Sequence, residues 1–162
     1  MQDFSFSTVK TIINELGSCH RQLGTVAKSL AVTRALIVTD AGIVQSGMIE
    51  PALSSLTAAG IVSVVYTDVV ADPPEVVVER ALAFAREQQI DGVIGLGGGS
   101  SMDVAKVIAL LTKSTQSLQD VYGVGNAKGN RLPLIQIPTT AGTGSEVTPI
   151  SIITTGETTK QG

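Results

Sequence analysis

Four short apolar runs recur along the chain, Ala35 to Asp40, Ile61 to Tyr66, Gly92 to Leu96 and Leu132 to Pro138, and they limit its fold more tightly than any other feature. Each has the length of a strand, and the first is continuously apolar up to a closing acidic residue, as in strands buried on both faces. The segments between them have helical spacing. Leu23, Val26, Ala27 and Leu30 predict a helix from Ser18 to about Leu30. Met48 to Ala59 forms a second, with Pro51 tolerated in its first turn and Gly60 at its stop. Asp72-Pro73-Pro74-Glu75 opens a third, Val76 to Gln89, and Val104 to Leu111 is a fourth. Strands alternating with helices of this length predict an open, mostly parallel α/β sheet covered by helices on both faces.

The flanks are less regular. Met1 to Gly17, with Phe4-Ser5-Phe6-Ser7 and Val9 to Leu16, fits one or two short edge strands, and Pro149 to Thr154 reads as a further strand. The chain stops soon after, at Gly162, and is expected to be one domain, residues 1–162, of a longer protein.

Composition removes several function classes. With 43% apolar and 15% charged residues, a packed core is affordable and a disordered tail is excluded. A net charge of −3 and only 3% aromatic residues offer neither a basic stripe nor stacking platforms, so nucleic acid is not an expected partner. No apolar run reaches the ~18 residues of a membrane span, and the N-terminus lacks a signal-peptide pattern, so a cytoplasmic protein without membrane contact is expected. Cys19 is the single cysteine and His20 the single histidine. A packed thiol and a solvent-facing imidazole at a helix start are the readings for these two, and no multi-histidine metal site can be built from the chain.

The third strand runs into Gly97-Gly98-Gly99-Ser100-Ser101-Met102-Asp103. Three glycines without Cβ atoms let a ligand approach, and a helix N-terminus supplies unpaired amides and a positive dipole end, which together suit a diphosphate. Ser100 and Asp103 also fit a capping box, a purely local alternative. The motif is not a P-loop, because Lys106 lies well into the helix, and Ser100 stands where the last glycine of Gly-x-Gly-x-x-Gly would fall.

A second loop follows the fourth strand, Pro138-Thr139-Thr140-Ala141-Gly142-Thr143-Gly144-Ser145-Glu146-Val147-Thr148. Ligands of open α/β sheets sit beyond the carboxyl ends of the strands, so both loops should face one crevice, and hydroxyls suit a nucleotide's polar edges. Asp40 ends the first strand, where a carboxylate accepts from ribose hydroxyls and repels a 2′-phosphate. Asp120 has the more usual spacing from the glycines but lies in a polar loop, which favours Asp40.

These two long motifs, Gly97-Gly98-Gly99-Ser100-x-x-Asp103-x-Ala105-Lys106 and Pro138 to Thr148, resemble those of the iron-type, or group III, alcohol dehydrogenases. The resemblance implies a Rossmann-like cofactor domain. It implies that Gly97, Gly98, Gly99 and Ser100 hold the diphosphate of NAD, with Ser101 and Asp103 beside it. Thr139, Thr140, Thr143, Ser145 and Val147 would line the adenine and nicotinamide parts, Asp72 would lie near the adenosine ribose, and Asp40 would favour NAD over NADP. Lys160 is carried over on a looser match.

Members of that family continue into an all-helical domain whose one aspartate and three histidines bind a divalent metal, usually iron and sometimes zinc. That region is absent from these residues, so the resemblance implies a cofactor half that is inactive alone, from a parent acting on a small alcohol or aldehyde. It also implies a homodimer paired through the N-terminal strand. A stand-alone nucleotide-binding module, or a relative of the glycerol dehydrogenases and dehydroquinate synthases, are the alternatives.

Overall fold

The computed structural model describes residues 18–122, 128–139, 153–154 and 160–161, for residues 18–20 and the last two pairs in backbone only. In chain order the elements are α1 (Ser18–Ser29), β1 (Arg34–Val38), α2 (Ala41–Gln45), α3 (Glu50–Ala58), β2 (Val62–Tyr66), α4 (Glu75–Glu87), β3 (Gly92–Gly97) and α5 (Gly99–Leu111). A 3-10 turn (Gln119–Val121), β4 (Leu134–Pro138), β5 (Ile153–Thr154) and β6 (Lys160–Gln161) follow. The edge strands expected before Gly17 lie outside the described residues. No described helix is long and apolar enough to cross a membrane.

The first four strands form one parallel sheet in the order β2-β1-β3-β4. From β1 the chain moves outward to β2, then returns past β1 to β3. Crossovers of one hand made in opposite directions must use opposite faces of the sheet. Accordingly Leu36, Val38 and Val93 pack with Val78, Leu82, Val104 and Ile108 of α4 and α5. Ala35, Ile37, Ile94 and Leu96 pack with Leu23, Ile43, Ala52 and Leu56 of α1, α2 and α3. Alternate residues of β1 thus enter two cores, which is why Ala35 to Val38 contains no polar position.

Local chemistry sets the joints. At the amino ends of the strands, the Asp91 carboxylate accepts from Thr33 N (2.9 Å), Thr33 Oγ1 and Arg34 N (2.8 Å). Burial acts to raise the Asp91 pKa, but hydrogen bonds from Thr33 and Arg34 outweigh it and hold the carboxyl below its ordinary value. Arg86 closes α5 by donating to the carbonyls of Leu111 (2.8 Å) and Ser114 (3.2 Å). Helices α1 and α3 meet at Gly24, whose N–H donates to Ser55 Oγ at 2.9 Å.

Three boundaries differ from the sequence expectation. Helix α5 begins at Gly99 instead of Val104, because only Gly97 takes a positive φ (146°) while Gly98 is extended and serves as N-cap. The glycine turn is therefore short, and Ser100 and Asp103 lie inside the helix without forming a capping box. The short helix α2 was not expected from periodicity; Asp40 caps it by accepting from Ile43 N at 3.1 Å. Of the strand expected over Pro149–Thr154, Ile153 and Thr154 are described, paired antiparallel with Gln161 and Lys160.

Candidate functional site

The direction of travel through the sheet reverses between β1 and β3, so their carboxyl ends diverge to opposite faces and leave a crevice between them. A cleft of about 350 Å³ lies there, lined by Asp40, Val69, Val70, Ala71, Gly98, Gly99, Ser100 and Ser101. Asp40 leaves the end of β1, the glycine turn leaves β3, and residues 69–71 come from the loop between β2 and α4.

Gly97 makes the close approach possible. At its φ of 146° a side chain is strained, and an added Cβ would lie 3.0 Å from Ser101 Oγ and 3.4 Å from Asp40 Oδ2. Beyond it, Met102 N is bonded to Gly98 O at 3.2 Å, which leaves the preceding amides of Gly99, Ser100 and Ser101 without intrahelical acceptors. Those donors and the dipole of a helix of 13 residues favour an anion at the cleft. Asp40 is the single titratable side chain among the described lining residues.

The two sequence motifs meet here. Thr139 N donates to Gly97 O at 2.9 Å, placing the start of the threonine-rich loop against the glycine turn. Asp72, with φ 47°, stands beside the cleft and donates its N–H to Ser100 Oγ at 3.3 Å. Asp103 is not a lining residue; it is buried in the second turn of α5 and pairs with Lys106 at 3.3 Å. Asp120 is exposed and accepts from Ser117 N at 2.7 Å, away from the lining. Thr140, Thr143, Ser145 and Val147 lie outside the described residues, and of Lys160 only the backbone, in β6, is described.

Sequence reading missed the wall made by Val69, Val70 and Ala71. The available signal was three apolar residues in a loop, just before Asp72-Pro73-Pro74, where polar turn chemistry would be expected. It also missed a contact that ties the start of α4 to the 3-10 turn. Gln119 Nε2 donates to Glu75 Oε1 at 3.3 Å, and the Tyr122 hydroxyl is pushed up to about 12, first by burial and then by the Glu75 carboxylate.

The model of the iron-containing alcohol dehydrogenases matches residues 10–162. The chain belongs to that family. It is 44% identical over 142 residues to long-chain-alcohol dehydrogenase 1 of Geobacillus thermodenitrificans, a match covering 86% of this chain and 36% of that protein. The solved alcohol dehydrogenase of Oenococcus oeni superposes with a TM-score of 0.89 at 28% identity, over 98% of this chain and 42% of that one. Sulfoacetaldehyde reductase of Bifidobacterium kashiwanohense, solved with NAD+, superposes with a TM-score of 0.79 at 32% identity, over 90% and 38%. The chain therefore spans well under half the length of these relatives.

The cradle suits a dinucleotide of this family: Gly97 leaves no side chain between Ser101 and Asp40, and three amides of the first turn of α5 have no intrahelical acceptor. For a metal the match is different. Among the described residues no group of three or more His, Cys, Asp or Glu side chains comes together.

Proposed function

We propose that this chain is the NAD-binding part of an alcohol dehydrogenase that moves a hydride between an alcohol or aldehyde and the nicotinamide. The observation that carries the reading is the cleft at the β1–β3 switch point, with Asp40 on one side and the Gly97–Ser101 turn on the other. The amides of Gly99, Ser100 and Ser101 hold the diphosphate, Ser100 and Ser101 add hydroxyls, and Asp40 and Asp72 face the adenosine ribose. The bound cofactor supplies the hydride acceptor; the chain's own residues orient it and exclude a 2′-phosphate. Thr139, Thr140, Thr143, Ser145, Val147 and Lys160 complete the cofactor contacts, and Asp103 acts behind the turn. The NAD+ complex of the Bifidobacterium relative supports this choice of cofactor.

Calorimetric titration of the purified chain with NAD and NADP tests the reading, heat being the useful signal in a chain without tryptophan. Saturable binding with NAD preferred is expected, without turnover of alcohol by the chain alone. A folded chain that binds neither dinucleotide would overturn it. Pairing through the N-terminal strand belongs to the same proposal, and a sedimentation profile showing only monomer at high concentration would remove it.

A further inference from the structure

Gln136 reaches out of β4 into a space that exists only because Gly95, its register partner on β3, has no side chain. A Cβ on Gly95 would lie 2.0 Å from Gln136 Oε1 and 3.0 Å from Ala105 Cβ, so α5 rests directly on the strand at this point. Gln136 Nε2 donates to Met102 O at 2.9 Å, and this is the orientation of the amide that puts a donor on that carbonyl. Its other atom gains nothing: Oε1 is buried and has no partner among the described residues.

That combination is costly as packing. A buried carbonyl oxygen without a donor opposes folding, and an apolar side chain of the same length would fill the space without that penalty. The one side-chain bond Gln136 makes among the described residues falls on Met102, the first residue of α5 whose N–H is engaged by the helix, through Gly98 O at 3.2 Å. We infer that Gln136 is a positioning residue: it pins the first turn of α5 to β4 and so fixes the height at which the Gly99, Ser100 and Ser101 amides meet the cofactor. The inference rests on the proposed cofactor reading only in its last step, since the pinning itself concerns the helix.

Gln136→Met tests it, because methionine matches the length and removes both polar atoms. The expected result is a melting temperature held or raised, amide exchange at Met102 to Lys106 faster by about tenfold, and NAD binding weaker by about tenfold, the effect of one lost hydrogen bond. Gln136→Leu serves as the second variant. A lowered melting temperature with unchanged local exchange and unchanged NAD affinity would make Gln136 an ordinary core residue, and failure of both variants to fold would do the same. A folded wild-type chain that binds no NAD would sink the cofactor reading instead, and exchange at α5 would still decide the pinning.

Discussion

Asp40 Oδ2 stands 3.4 Å from where a Cβ on Gly97 would lie, while Asp40 Oδ1 accepts from Ile43 N at 3.1 Å. One carboxylate thus does two things: it starts α2 and presents negative charge to the mouth of the glycine turn. Ile43 is three residues away along the chain, whereas the closeness to Gly97 is made by the pairing of β1 with β3.

Gly97→Ala should leave the fold in place and weaken NAD binding by at least about tenfold, from a strained φ and a methyl in the cradle. Calorimetry beside a circular-dichroism melt reads both quantities. Undiminished affinity would mean that the cofactor passes elsewhere.

Asp40→Asn keeps an oxygen for the α2 cap and removes the charge. The ratio of NAD to NADP affinity should fall by about tenfold, corresponding to ~1.4 kcal/mol of lost repulsion. Asp40→Gly would confound this with loss of the cap, roughly a few tenths of a kcal/mol of stability. Parallel titrations with the two dinucleotides settle it, and an unaltered ratio would place the 2′-hydroxyl away from Asp40.

Gly24→Ala addresses the contact between α1 and α3. The new Cβ would lie 2.3 Å from Ser55 O and 2.8 Å from Ala59 Cβ, so the helices must separate. Overpacking of this kind costs about 1–3 kcal/mol. Urea denaturation should show a lower midpoint; a midpoint equal to wild type would show that the two helices can move apart freely.

Asp91 gives a pH signature. Its folded-state pKa is depressed, so the stability it contributes is present above the unfolded value of ~3.9 and is lost as pH falls through the lower folded value. Asp91→Asn should therefore be less stable than wild type at neutral pH, and the gap should close in acid below about pH 4. Denaturation curves at several pH values test this, and a gap that stays constant would rule the carboxylate out as the source.

Much of the architecture was legible because strands buried on two faces leave a distinctive record. Ala35 to Val38 alternates between two cores, so every position is apolar, and the helices between strands carry one apolar stripe each. The Gly97–Ser101 turn was legible for a related reason, since few requirements other than close backbone approach call for consecutive glycines. The start of α5 was not, because glycine and serine are poor helix formers in isolation, and what makes Gly99 helical is the docking of the following turns onto β3 at Gly95.

What the sequence by itself determined is the α/β class, the order of elements and the two motifs that mark a cofactor crevice, all properties written in local periodicity and turn chemistry. Tertiary structure decided the rest. It placed β3 beside β1, brought Asp40 to Gly97, swung Val69 to Ala71 over the cleft, and left Gln136 reaching through the gap at Gly95 to Met102. Such contacts depend on strand order and register, which arise from the burial of two whole faces at once and have no signature in any single stretch of chain.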